Sequence, residues 1–127
     1  MRKFCLYICG LSLLTQAAHA DLLLCSGETP FWNLDIDIAE QTALFQRTGE
    51  DSQVATIELT ALAQGDAGIR AFSLVNRQTA FTGIAVTAPD SCDINGDDSF
   101  SHRVEFLTQA GTEAILMTGC CRAAQSK

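Results

Sequence analysis

"WNLDIDI", Trp32 to Ile38, alternates apolar and polar side chains without a break: Trp32, Leu34, Ile36 and Ile38 on one side, Asn33, Asp35 and Asp37 on the other. A period of two is that of an extended strand with one face in a core and the other in water. In a helix the same apolar residues would be spread around the circumference instead of sharing one stripe. Weaker forms of the pattern recur at Ala43 to Arg47, Val54 to Leu62, and Ile69 to Asn76, where Phe72 and Leu74 share a face. Further runs follow at Thr79 to Ala88, His102 to Gln109 and Glu113 to Cys121. With Leu22 to Cys25 these make about eight short strands.

Turn signals separate the runs: Thr48-Gly49-Glu50-Asp51, Gln64 to Gly68, Asn76-Arg77-Gln78, and Ala110-Gly111-Thr112, the last a tight hairpin. Ala55 to Gln64 has the alanine and leucine of a helix. Its β-branched Thr56, Ile57 and Thr60, following Val54, favour a strand. Many short strands without alternating helices predict an all-β, antiparallel barrel or sandwich. Both architectures produce the same alternation, so the choice between them stays open. "APDSCDINGDDSFS", Ala88 to Ser101, reads as the one long irregular segment, where a β-scaffold would carry a functional loop.

The chain starts "MRKFCLYICGLSLLTQAAHADLLLC", with Arg2 and Lys3, an apolar stretch from Phe4 to Leu14, and Ala18-His19-Ala20 before Asp21. This is the pattern of a secretory signal peptide over residues 1–20, cleaved after Ala20, which leaves a single β-rich domain over residues 21–127. The apolar run is shorter than the roughly 20 residues of a spanning helix, so no stable membrane anchor is expected after cleavage. Lipidation would need a small residue before the modified cysteine, whereas Cys25 follows Leu24 and Cys9 follows Ile8. The expected location is periplasmic or secreted.

The full chain has a formal net charge of −7, and losing Arg2 and Lys3 makes the remainder more acidic still. That balance disfavours nucleic acid, whose binding rests on lysine and arginine releasing counterions. It keeps an exported protein soluble and can steer a basic partner.

Cys25, Cys92, Cys120 and Cys121 remain after cleavage, and in an exported chain they imply two disulfides. Three pairings are possible: Cys25 with Cys120 and Cys92 with Cys121, the crossed alternative, or Cys25 with Cys92 plus a bond between the neighbours. The neighbour bond closes almost no loop and should stabilise little, whereas a bond from Cys92 to either terminal cysteine could contribute roughly 3 kcal/mol.

Asp90, Asp93, Asn95, Asp97 and Asp98 crowd around Gly96, and Asp93-x-Asn95-x-Asp97 imitates the start of a calcium loop. The imitation then fails: an EF-hand glycine would stand at Asp98 and its bidentate glutamate at Val104, with Glu105 one place late. A solvated turn of Asp, Asn, Gly and Ser is the preferred reading, and calcium on Asp93, Asn95 and Asp97 the lesser one. No cofactor is expected. Four oxidised cysteines and His102, the one histidine of residues 21–127, leave no zinc ligand set, and Cys120-Cys121 is not a C-x-x-C redox motif. A hydrolase centred on His102 would have to recruit Ser99 or Ser101 without a local motif. In "CSGETPFWNL", Cys25 to Leu34, the adjacent Phe31 and Trp32 point to opposite faces. One belongs to the core, and the other must meet a second apolar surface, a lid or a partner.

Gly27-Glu28-Thr29-Pro30-Phe31-Trp32 near the start, with Cys92-Asp93-Ile94-Asn95-Gly96-Asp97-Asp98-Ser99-Phe100 and Gly119-Cys120-Cys121-Arg122 near the end, carry a resemblance. The chain resembles a family of bacterial exported proteins and lipoproteins that have no established activity and can accompany META or HslJ-like domains. That family's pattern is G-x-E-P-F-W, then a cysteine with D-G-M-S-D and an aromatic, then G-C in the final strand. Here Thr29 replaces the glutamate before the proline, and Asp97 and Asp98 stand where methionine and serine would be. The resemblance implies a small periplasmic β-domain and a disulfide from Cys92 to Cys120, which leaves Cys25 for Cys121.

These readings converge on a non-enzymatic cell-envelope protein that binds an envelope protein or small ligand, or serves envelope integrity. Phe31, Trp32, Asp93, Asn95, Asp97, Asp98 and His102 are the candidate binding residues. An alternative is an inhibitor of lysozyme-type hydrolases, since an acidic surface suits a basic enzyme such as lysozyme. A second alternative is a weak hydrolase centred on His102.

Overall fold

The computed structural model describes residues 21–28 and 30–125, so the signal-peptide reading falls outside the described residues. The chain forms eight strands in order: β1 (Leu22–Gly27), β2 (Trp32–Asp37), β3 (Thr42–Arg47), β4 (Gln53–Ala63), β5 (Asp66–Asn76), β6 (Phe81–Ile94), β7 (Asp97–Ala110) and β8 (Glu113–Ala124). Each pairs antiparallel with the next, and β8 pairs with β1, so the sheet closes into a barrel. Closure removes the sheet edges that a sandwich would leave. The stretch Ala55 to Gln64, read as a strand despite its helix formers, lies in β4 as far as Ala63.

The alternation of Trp32 to Ile38 now has a geometric meaning. Trp32, Leu34 and Ile36 face inward and are buried, while Asn33, Asp35 and Asp37 lie on the outer wall. Leu23, Phe45, Ile57, Phe72, Leu74, Phe81, Val104 and Phe106 are the other large aliphatic and aromatic residues of the interior, with Met117 and smaller side chains between them. Trp32 and Phe45 have ring centroids 6.0 Å and 5.1 Å from Phe106, the second pair edge-on, and Phe45 stacks on Phe81 at 6.0 Å. Such offset and edge-on pairs are preferred because each ring's positive edge meets another's negative face. The barrel is a packed core at this level.

Two departures from plain alternation shape the molecule. The register shifts between Ile57 and Leu59, which turns Leu59 outward and brings Thr60 and Leu62 opposite Phe72 and Arg70. A bulge of this kind re-aims every side chain beyond it. The second departure corrects the expected irregular loop. Residues Ala88 to Ser101 are the outer half of the β6–β7 hairpin, laddered up to Ile94 and Asp97 around a two-residue turn at Asn95-Gly96. Register shifts at Pro89/Cys92 and Cys92/Ile94 bend this ribbon. Neither of its faces enters a core, so it shows no period-two pattern although its backbone is extended.

Candidate functional site

The bent ribbon returns across the outside of the barrel over the β8–β1 closure. On β8, Cys121 faces inward and is bonded to Cys25, its direct cross-strand neighbour on β1. Cys120 faces outward and is bonded to Cys92 on the ribbon. The two neighbours face opposite ways because successive strand residues alternate sides. The pairs are those that the resemblance implies. The ribbon is held further by Arg122, whose Nη2 donates to Ser99 Oγ at 2.6 Å and lies 3.5 Å from Asp97 Oδ2. Its guanidinium sits 4.8 Å from the Phe100 ring centroid. At the tip, Asn95 Nδ2 donates to Glu28 in the β1–β2 turn. This ribbon is a strap over the seam.

The strap explains the acidic residues around Gly96. Asp93 Oδ1 accepts the Gly96 N–H and Asp97 Oδ1 accepts the Ser99 N–H, both at 3.0 Å, so these carboxylates build turns. Ser99 holds Asp97 below the usual carboxylate range, chiefly by hydrogen bonding, with Arg122 adding to it. Among the described residues no three His, Cys, Asp or Glu side chains are grouped to hold a metal ion. Asp98 is exposed on the strap.

Phe31 and Trp32 divide as opposite faces require. Trp32 is 1 % exposed, wedged beneath Gly27 and Gly119, where a Cβ at either glycine would collide with its indole. Phe31 is 53 % exposed in the β1–β2 turn, and its carbonyl accepts the Thr48 N–H at 3.2 Å. The structure therefore joins Asn95 to the turn that carries Phe31, but it places His102 elsewhere.

His102 lines the barrel mouth at the end where residues 21 and 125 lie. A cleft of about 470 Å³ opens there among Leu23, Leu62, Arg70, Pro89, His102 and Ala123. Inward alternation puts Arg70 in line with Phe72 and Leu74, and His102 in line with Val104 and Phe106. Arg70 lies 5.6 Å from the Phe72 ring centroid. Thr87, directly across the β5–β6 ladder from Arg70, is fully buried, and its Oγ1 has no hydrogen-bond partner among the described residues. A buried hydroxyl left unsatisfied is costly, which marks the position as unusual. Ser101 Oγ and His102 Nδ1 are 2.8 Å apart. No carboxylate forms an ion pair with His102 among the described residues, so the Ser–His pair lacks the group that orients the imidazole in a Ser-His-Asp triad.

Sequence reasoning passes over Arg70 and Thr87. Their signal is parity: Arg70 shares the face assigned to Phe72 and Leu74, and a charge on a core face is informative.

Burial, followed by the Arg70 charge, holds the His102 imidazole below its ordinary value of 6.5. The native chain therefore resists a proton that the unfolded chain accepts. Stability should be complete above about pH 6.5 and fall as pH drops below it, levelling off once the native imidazole is protonated too. Asp35, flanked across the ladder by Leu24 and Leu44, is raised by burial and acts with the opposite sign at lower pH. Denaturant melts between pH 7 and 5 should show this loss for the native chain, and His102→Gln should flatten it. An unchanged slope in the variant would assign the dependence to other groups.

The opposite mouth, about 410 Å³, is lined by Arg47, Glu50, Asp51, Gln53 and Glu113, with Arg47 held by Glu50 at 3.3 Å. The guanidinium there is already neutralised. The chain matches no protein-family model, no curated protein and no solved structure.

Proposed function

We infer that this chain is a non-enzymatic binding protein of the cell envelope, and that its partner is a basic protein held on the outer wall of the barrel. The observation that carries the reading is a single row of side chains running across the sheet: Leu59, Ser73, Ile84, Leu107 and Leu116, each opposite the next in the ladder. Four of the five are large, apolar and exposed, Leu107 to 43 % and Leu116 to 65 %. The aromatic interior fills the middle of the barrel, so a protein partner is met on the outer surface.

An apolar row of this extent is a common mark of a contact surface. Its neighbours set the sign of the partner. Glu105 lies beside Val86 in the next row, Glu113 is exposed on β8, and the whole chain carries −7. Complementary charge speeds encounter and excludes acidic competitors. Two disulfides on the seam suit an oxidising compartment.

Immobilised C-type lysozyme, a basic protein, is the probe. Retention at low salt that weakens as salt rises is the expected result. Leu107→Asp, at the centre of the row and pointing to solvent, should reduce retention about 10-fold while leaving the melting temperature nearly unchanged. Absence of retention, or retention indifferent to Leu107→Asp, would overturn the reading for this partner class.

A further inference from the structure

We propose that the mouth at the chain-termini end is a binding site for a monocarboxylate with an apolar tail, with the carboxylate on Arg70 and the tail against Leu23, Leu62 and Ala123. The site is separate from the outer row and does not depend on it.

Arg70 differs from the other arginines among the described residues in its charge balance. Arg47, Arg77, Arg103 and Arg122 each form an ion pair, with Glu50, Glu58, Asp90 and Asp97 at 3.3, 2.6, 3.9 and 3.5 Å. Arg70 forms none among the described residues, in a chain rich in carboxylates. The nearby Asp66, on the same strand, accepts the Gly68 N–H at 3.0 Å and does not pair with it. A half-buried guanidinium whose charge no carboxylate balances is poorly compensated. A carboxylate entering the cleft would supply the missing charge, and the planar fork of arginine suits two parallel hydrogen bonds to it.

Two further donors stand near Arg70: His102 lines the cleft, and Thr87 is buried just behind its lining. The buried Thr87 hydroxyl faces it across the ladder with no partner of its own among the described residues. His102 is two residues along β7 from Val104, the cross-strand partner of Thr87, and shares its inward face. Ser101 Oγ and His102 Nδ1 are 2.8 Å apart, and in the tautomer whose Nδ1 accepts from that hydroxyl the neutral imidazole carries its proton on Nε2, free to donate. One full positive charge and two neutral donors match a single carboxylate, and they are too little charge for a phosphate dianion. The remaining lining is apolar, and a cleft of about 470 Å³ is of small-ligand size.

The test measures melting temperature at pH 7.5 with octanoate, 1-octanol and inorganic phosphate, because a molecule that binds only the native state must raise it. Octanoate should raise it saturably, and octanol and phosphate should not. Arg70→Gln should weaken octanoate about 10-fold or more, the loss of a charge-assisted hydrogen bond. Thr87→Val keeps the side-chain shape and removes an unpartnered hydroxyl, so it should fold at least as well while binding octanoate several-fold more weakly. No shift with octanoate in the native chain overturns the site. An equal shift with octanol overturns recognition of the charge, and an equal shift with phosphate overturns the carboxylate assignment. Wild-type affinity in folded Arg70→Gln overturns the role of Arg70, and wild-type affinity in Thr87→Val that of Thr87.

Discussion

Gly119→Ala is expected to destabilise the barrel by about 3 kcal/mol or more, at the upper end of what overpacking costs. Gly119 lies on β8 opposite Val104, with the β1 backbone on its other side. A Cβ there would collide with the Ser26 carbonyl oxygen, stand 2.9 Å from the Ser26 carbonyl carbon, and press on Trp32 Cζ2 at 2.9 Å. A flexible side chain could swing aside, but a ladder carbonyl cannot. β1 would have to move away from β8 at the pair that closes the barrel. Gly111 is the contrasting case, with φ of 65° and open space for 4 Å around the place a Cβ would take. There alanine meets only the left-handed backbone penalty, roughly 1 to 2 kcal/mol. Chemical denaturation of both variants decides the point: a Gly119→Ala cost no larger than that of Gly111→Ala would show slack in the seam.

The same glycine shows what can be read from sequence and what cannot. Gly27, Trp32, Gly119 and Cys120 are visible as separate pieces of a motif, one near each end of the chain. Only closure puts them together, with both glycines against the Trp32 indole and Cys120 on the next residue's outer face. The strands themselves are legible, because a wall with one buried face must alternate. The barrel is not, because alternation records burial and carries no information on whether the first and last strands meet. The strap is hidden for a related reason. Residues 90–101 have no core face, so Asp, Asn, Gly and Ser announce a loop where the backbone forms a ribbon. His102 stands out as a rare titratable group, but its companions Arg70 and Thr87 come from strands that only the ladder brings alongside. The bulge after Ile57 hides Leu62 as well, since a one-residue slip exchanges inside for outside.

Removing the inner disulfide should cost more than removing the outer one. Cys25 and Cys121 are 96 residues apart in sequence, and Cys92 and Cys120 are 28 apart. In the loop-entropy account the longer link contributes about 4 to 5 kcal/mol and the shorter about 3 to 4. Location widens the difference. The inner bond joins β1 to β8, the pair whose formation converts a curved sheet into a barrel, and without it the unfolded ends are free to separate. The outer bond fastens a ribbon that Arg122, Ser99 and Phe100 also hold. Cys25→Ala with Cys121→Ala should therefore unfold at much lower denaturant in one cooperative transition. Cys92→Ala with Cys120→Ala should keep most of the barrel's stability and lose hydrogen-exchange protection mainly over residues 90–101, because local opening follows the contacts that are lost. Equal midpoints for the two double variants, or loss of protection throughout the barrel in the second, would mean that the strap helps to close the barrel. If instead the two effects separate as expected, Cys120 and Cys121 divide the labour of their position: one fixes the fold from within, and the other fastens a surface ribbon over the seam.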